Sequence, residues 1–261
     1  LAVFGITGRM GQSLLRALRE APDLALRGAI ASSASARLGQ DAAAEGPPTG
    51  VRITSDVSAG IRGAAVAIDF SLAACVAAHA SACAAAGIPL LVGATGLDEA
   101  GRSSIALAAK RVAVLVAPNT SVGVGMVAKL VSMAAAGLGA SYDVEISEAH
   151  HHSKRDAPSG TALALGEAVA GARGQALSDV AVYDRGGRGG ARSPGSIGIS
   201  VVRAGDIVGE HTVTFAAAGE RVEITHRATD RITFARGALR AAEWLVGRPA
   251  GLYGMQDVLG L

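Results

Sequence analysis

Five apolar runs punctuate the first half of the chain: "LAVFG" at 1–5, "LALRGAIA" at 24–31, "AAVAIDF" at 64–70, "IPLLVGAT" at 88–95 and "VAVLVAPN" at 112–119. Between them, "RMGQSLLRALRE" at 9–20 spaces Met10, Leu14, Leu15 and Leu18 at helical intervals, and 72–86 and 98–110 also have helical spacing. A run that is apolar at every position has no solvent side. Such strands, alternating with helices, predict a parallel sheet covered on both faces.

The pattern changes after about residue 121. Helices are expected over 124–139 and 159–172, and "DVEISEAH" at 143–150 alternates like a strand with one buried face. "DRGGRGGARSPG" at 184–195 reads as a loop rich in glycine and arginine. Its Arg185, Arg188 and Arg192 could shield an anionic substrate, but a mobile surface segment is favoured. Three strands then follow at 196–228, joined by "GD" and "AAGE" turns, which predicts an antiparallel meander. An amphipathic helix at 231–247 comes next. The expected architecture is α/β: a parallel-sheet domain over 1–121 and a smaller α+β domain with an antiparallel (mixed) sheet over 122–230, with 231–261 returning to the first.

Composition narrows the classes. Half of the 261 residues are hydrophobic and 18% are charged, which suits a globular chain. Aromatics make up 3%, the net charge is +2 and no basic run occurs, so nucleic acid is not an expected partner. No 18-residue apolar span free of breakers and no signal peptide is read, so neither is a membrane. Cys75 and Cys83 are read as reduced core residues of a cytoplasmic protein. Leu1 opens inside an apolar run, so a few native residues are expected ahead of it.

"VFGITGRMGQ" places Gly5, Gly8 and Gly11 between the first strand and the first helix. The spacing departs from G-x-G-x-x-G because Thr7 holds the middle position. Glycines there still allow close approach to a pyrophosphate, and the helix start offers amide donors. With this loop the first domain reads as Rossmann-like. The second strand normally ends in an acid that binds the ribose of NAD. Here it ends "AIASSASAR", with Ser32, Ser33 and then Arg37, which leans towards NADPH over NADH.

The densest chemistry lies in "EAHHHSKRDAPSGTA", residues 148–162, which holds three of the six histidines and one of only three lysines. Ser159 is a fair helix N-cap. The following amides, with the Thr161 hydroxyl, suit a carboxylate. Consecutive histidines point in different directions, and no HxxxH, HExxH or CxxC pattern occurs, so no metal is expected. Arginine does not readily release a proton, whereas a partly desolvated lysine does. A lysine retained beside Arg155, in a chain with 21 arginines, is therefore a group able to release a proton where arginine is not. His211 and His226, on strands of the meander, could face the site or merely pack, and His152 receives no role.

This stretch resembles the signature of the dihydrodipicolinate reductase (4-hydroxy-tetrahydrodipicolinate reductase) family. So do "GRMG" at 8–11, "GATG" at 93–96, "PNTSVGV" at 118–124, "RAGDIVGEHTV" at 203–213 and "THRATDRITFARGA" at 225–238. The resemblance implies reduction of a cyclic dicarboxylate by NADPH or NADH in diaminopimelate and lysine biosynthesis, and a cytoplasmic homotetramer. It implies nucleotide contacts at Gly5, Ile6, Thr7, Gly8, Arg9, Met10, Ser32, Ser33, Gly93, Ala94, Thr95, Ala117, Pro118, Asn119 and Thr120. His150 and Lys154 match the family's proton-handling positions, and His151, Gly160 and Thr161 its substrate contacts. Ser32 and Ser33 depart from the acid and basic neighbour of some members. The first domain would then bind the dinucleotide, and the second the substrate and other subunits. Strands at 196–227 are expected at the subunit interface, being more apolar on alternate positions than one helix pair can cover.

Two other functions compete. An amino-acid dehydrogenase of homoserine or semialdehyde type shares the two-domain plan but leaves the His/Lys/Pro-Ser-Gly-Thr run unexplained. A nucleotide-sensing protein without catalysis would not need His150 and Lys154. A short-chain dehydrogenase is excluded, because neither Tyr142 nor Tyr183 has a lysine four residues on.

Overall fold

The computed structural model describes residues 1–183, 185–186 and 190–261; Arg188 lies outside the described residues. They form two compact units, 1–122 with 231–261, and 123–230.

In the first unit the elements run β1 (Ala2–Phe4), α1 (Arg9–Leu18), β2 (Gly28–Ile30), β3 (Ile53–Thr54), α2 (Val57–Ile61), β4 (Ala67–Asp69), α3 (Ala73–Ala86), β5 (Leu90–Val92), α4 (Glu99–Ala109) and β6 (Ala113–Val116). The chain then passes through α5 (Val122–Leu138) into the second unit: β7 (Asp143–His150), α6 (Gly160–Ala172), α7 (Leu177–Val180), β8 (Ala181–Val182), β9 (Ile197–Arg203), β10 (Gly209–Ala217) and β11 (Glu220–Ala228). It ends in the first unit with α8 (Ile232–Leu245), β12 (Gly251–Tyr253) and α9 (Met255–Leu259).

The first sheet has the order β12-β6-β5-β4-β1-β2-β3 and is parallel throughout. Alternate residues explain why its strands are apolar at every position. Val3, Ile68, Leu91 and Leu115 belong to one buried cluster with α1 and α8. Phe4, Leu90, Val92 and Val114 belong to another with α3 and α4. The chain winds outward from β1 through β2 and β3, then returns to β4 on the other side. The switch point therefore lies between the carboxyl ends of β1 and β4. Glycine is required there: Gly5 has φ +74°, and a Cβ on it would lie 2.7 Å from the Phe70 carbonyl oxygen. Asp69 closes β4, fully buried, and accepts from the Ser71 amide and from His79 Nδ1, each at 2.8 Å.

The second sheet has the order β11-β10-β7-β9-β8. This corrects the expected meander. β10 and β11 form a hairpin, but β9 pairs parallel with β7, and β7 separates β9 from β10. Turn residues between 203 and 209 do not reveal this, since a short connection can also pass over the end of an intervening strand. One face packs Val144, Ile146, Ile199, Val213 and Phe215 against α5 and α6 residues such as Val131 and Leu165. In register on the other face stand Ser147, Ser200, Thr212 and Thr225, so the apolar excess expected there is largely replaced by hydroxyl groups.

Two further expectations change. Cys83 is buried, but Cys75 is exposed on α3, so only one cysteine is a core residue. Val122–Ser141 forms a helical stretch of 20 residues with mean hydropathy 1.6, long and apolar enough to cross a membrane by length and composition. Gly123, Gly125 and Gly137 sit inside α5, as does Lys129.

Candidate active site

Two constellations correspond to the residues singled out in the sequence, one in each unit. In the first, β1 runs through Gly5 and Gly8 into α1, whose N-terminus has no side-chain cap. A Cβ on Gly11 would lie 2.5 Å from the carbonyl oxygens of Gly5 and Ile6, so this glycine lets the helix start press onto the loop. The neighbouring strand ends are stitched together. Gly5 N–H donates to Ile30 O, Gly93 N–H to Asp69 O and Ala117 N–H to Val92 O, all at 2.8–2.9 Å. Thus Gly5–Met10, Gly93–Thr95 and Ala117–Thr120 share the carboxyl edge of one sheet. A glycine cradle beside uncapped helix amides fits a pyrophosphate.

One member of this set, and Arg37 near it in the sequence reading, are engaged elsewhere. The buried Thr120 hydroxyl donates to Phe234 O at 2.6 Å and ties the strand end to α8. Arg37 is not simply solvated: its Nη2 donates to the carbonyls of Asp41, Ala42 and Ala43 at 2.8, 3.3 and 2.9 Å. Ser32 and Ser33 are exposed, and Ser32 Oγ accepts from the Ala34 amide.

In the second unit the alternation of β7 turns Glu148 and His150 inward, on the side of Val144 and Ile146. Glu148 is 1% exposed. Its Oε2 accepts from His150 Nδ1–H at 2.6 Å and from Arg203 Nη1 at 2.8 Å. Its Oε1 accepts from the Ser159 amide at 2.9 Å and from Arg203 Nη2 at 2.8 Å. Burial alone would raise this carboxyl, but the hydrogen bonds from Arg203, His150 and Ser159 outweigh it and hold the pKa below the usual range. Burial lowers the pKa of His150, and the attraction of Glu148 only partly offsets it.

The start of α6 is built as the sequence suggests. Ser159 Oγ caps it by accepting from the Ala162 amide at 3.1 Å. The same hydroxyl meets His211 Nε2 at 2.9 Å. His211 therefore faces inward, its ring edge-on to His150 with centroids 5.2 Å apart. Its buried Nδ1 has no hydrogen-bond partner among the described residues. A second ring proton would be costly there, and burial pushes the pKa down to about 4. His226 lies opposite His211 on β11, its pKa also lowered by burial.

Lys154 Nζ donates to both carboxylate oxygens of Asp156 at 2.8 Å. Burial would raise the Asp156 carboxyl, but the Lys154 hydrogen bond and charge carry it lower. His151 is half-buried, while His152 turns outward onto Gly205 O. Gly160 is exposed, and a Cβ there would meet nothing within 4 Å. In the 184–195 loop, Arg185 binds Glu145, and Arg192 binds Asp143, Glu145 and the carbonyls of Val144 and Ser196. These two arginines pair with acids at the start of β7. Among the described residues no cluster of His, Cys, Asp and Glu is arranged to hold a metal.

Glu148, Arg203 and Gly209 escaped the sequence reading. The signal for Glu148 was available: it occupies an inward position of an alternating strand, where an acid is rarely left unpaired. Arg203 and Gly209 depend on strand order. Arg203 is the register neighbour of His150 on β9, and a Cβ on Gly209 would come within 3.1 Å of His150 Nε2.

Comparison with known proteins accounts for both units. Residues 1–120 match the family model described as dihydrodipicolinate reductase, N-terminus, and 123–259 match the one described as its C-terminus. The chain is 52% identical over 262 residues to the 4-hydroxy-tetrahydrodipicolinate reductase of Thiobacillus denitrificans, covering 100% of this chain and 98% of that one. It is 50% identical to that of Herminiimonas arsenicoxydans, with the same coverage. A dipicolinate-bound dihydrodipicolinate reductase from Paenisporosarcina sp. TG-14 shares the fold, with TM-score 0.76 and 23% identity, over 98% of this chain and 97% of that one. Aspartate semialdehyde dehydrogenase II of Vibrio cholerae has a related fold at TM-score 0.54 and 13% identity, over 94% of this chain and 97% of that one.

The depressed histidines set a pH dependence of stability. A histidine with a lowered folded pKa stays neutral in the fold while the unfolded chain binds the proton. Its stabilising contribution is therefore present above the unfolded value and lost as pH falls towards the folded one. For His211 the window runs from 6.5 down to about 4. Urea unfolding across that window should show stability falling with pH, and His211→Gln should flatten the slope by up to about 1.4 kcal/mol per pH unit. An unchanged slope in the variant contradicts the burial of a neutral His211.

Proposed function

The chain belongs to the dihydrodipicolinate reductase family, and from that premise we propose how its own residues carry out the reaction. The activity is reduction of 4-hydroxy-tetrahydrodipicolinate to tetrahydrodipicolinate in diaminopimelate and lysine biosynthesis. A bound nicotinamide nucleotide supplies the hydride. The chain must hold two negative charges, deliver a proton and keep the nucleotide in place.

Residues Gly5, Ile6, Thr7, Gly8, Arg9 and Met10 hold the pyrophosphate on the uncapped start of α1. Gly93, Ala94 and Thr95, with Ala117, Pro118 and Asn119, border the nicotinamide, while Thr120 serves through its backbone because its hydroxyl is engaged by Phe234. A substrate carboxylate is bound by the amides of Gly160 and Thr161, the Thr161 hydroxyl and His151. The observation that carries this reading is the junction at Glu148, where one carboxylate joins the His150 ring to the amide that opens α6. The open space around Gly160 supports it: no atom lies within 4 Å of where a Cβ would stand, which leaves room for a ligand at the helix start. His150 polarises the substrate, and Lys154, released from Asp156 by the incoming dianion, gives the proton.

Lys154→Met should lower kcat by at least about two orders of magnitude, the usual worth of general acid catalysis. NADPH affinity should change little, because the nucleotide loop belongs to the other unit. His150→Gln should cost less. Lys154→Arg keeps the charge but not a transferable proton, so it should stay slow in a stopped-flow assay with substrate generated in situ. Full activity in that variant ends the proton-donor assignment.

NADPH should serve at least as well as NADH, since Ser32 and Ser33 present no carboxylate to a ribose phosphate. The cation argument from Arg37 is weaker, because part of its guanidinium is committed to loop carbonyls. Comparing kcat/KM for the two nucleotides tests this, and a tenfold preference for NADH contradicts it.

The assembly we propose is a homotetramer formed through the second sheet. Among the described residues β11 is a nine-residue edge strand paired on one side, an arrangement that invites a second chain. Light scattering at micromolar concentration should give four times the chain mass, and a monomer refutes it. The cytoplasm is the compartment in which Cys75 and Cys83 would stay reduced.

A further inference from the structure

The segment "RAGD" at 203–206, which supplies the Arg203 partner of Glu148, also clamps the histidine run. Arg203 grips both oxygens of Glu148 with its two terminal nitrogens and also donates to Asp156 O at 2.6 Å. Ala204 N–H donates to His150 O at 2.9 Å, and His152 N–H to Gly205 O at 3.2 Å. Backbone from His150 to His152 is thus fixed from the turn that follows β9. The ring itself is fixed from Glu148, which can only accept. Nδ1 must carry the hydrogen, and Nε2 is left as a lone pair on the side where Gly209 makes room.

A carboxylate 2.6 Å from an imidazole would ordinarily favour imidazolium. Here the carboxylate is already matched by a bidentate guanidinium. The charged and titratable groups around His150 fit this arrangement. Glu148 lies on its own strand, Arg203 on β9, Lys154 on the loop that follows β7, and His211 on β10. Arg203 and Lys154 are cations, Lys154 being matched in turn by Asp156; His211 is held neutral by burial, and the anion in contact with His150 is shared with Arg203.

We propose that Glu148 and Arg203 are positioning residues for His150: Glu148 dictates which ring nitrogen carries the hydrogen, and Arg203 cancels the charge of Glu148 so that the imidazole stays neutral. The consequence rests on the reading of His150 as a site residue. A neutral His150 offers an acceptor at Nε2 and cannot compete with Lys154 as the acid. The lowered pKa of His150 agrees with this.

The test is NMR of the full-length protein with 13C,15N-labelled histidine, titrated with pH, the His150 signals assigned by their loss in His150→Gln. In the wild type, Nε2 should show the shift of an unprotonated nitrogen, with a midpoint below that of free histidine. Arg203→Leu should raise the midpoint by at least about one pH unit, the usual effect of exposing a nearby opposite charge. Arg203→Lys should restore it, and the acid limb of the kcat profile should move with it. Should Arg203→Leu fail to fold, Glu148→Gln decides: removing the anion should lower the midpoint and mix the two tautomers. An Nε2–H tautomer in the wild type overturns the proposal. So does an unmoved midpoint in Glu148→Gln or in folded Arg203→Leu. Activity of His150→Gln separately tests the catalytic reading, so the two failures are distinguishable.

Discussion

One buried carboxylate holds the second unit's chemistry together. Glu148 receives four hydrogen bonds from three places: its own strand through His150, β9 through Arg203 and the start of α6 through Ser159. An unpaired carboxylate at that depth would cost several kcal/mol, so the sheet, the loop and the helix must converge for the fold to be stable. Breaking such a buried pair by deleting one partner typically costs about 3–5 kcal/mol, against about 0–1 for a surface pair such as Arg102–Glu99. The constraint that stabilises the unit is therefore also the one that orients the His150 ring and the start of α6. Ser159 shows the economy of the design, with its amide bound to Glu148 and its hydroxyl both capping α6 and meeting His211.

The first unit depends on a different constraint, the close approach of backbone at the carboxyl ends of parallel strands. Gly5 cannot bear a side chain against Phe70, nor Gly11 against the loop before it. The ring of Phe70 in turn occupies the space where Gly93 would carry a Cβ. These requirements shape the cradle through close packing of backbone and the Phe70 ring rather than through charged side chains.

Much of this was legible in the chain because the first sheet is buried on both faces. Unbroken apolar runs such as 64–70 and 112–119 mark such strands, and the glycines at 5, 8 and 11 mark the loop between them. The candidate residues of the second unit stood out because they are contiguous: His150, Lys154, Gly160 and Thr161 fall within one stretch. What escaped depends on partners distant in sequence. The parallel pairing of β9 with β7 is decided by packing rather than by turn chemistry, and it brings Arg203 to Glu148 across 55 residues. Short elements such as β3 and β12 carry too few residues to show a period. Val201 and Val202 interrupt the alternation of β9, which made its outward face look more apolar than the rest of the sheet.

The Ser159 amide reports on the Glu148 junction directly, because it is a backbone donor held only by that carboxylate at the end of a loop. Native-state hydrogen exchange resolved at single residues measures how far the chain must open to release it. If Glu148 is the tie on which the site depends, Ser159 should exchange about as slowly as Ile146 and Val213 in the middle of the sheet. Exchange of Ser159 at the rate of an open surface loop, with those two amides still protected, would contradict it.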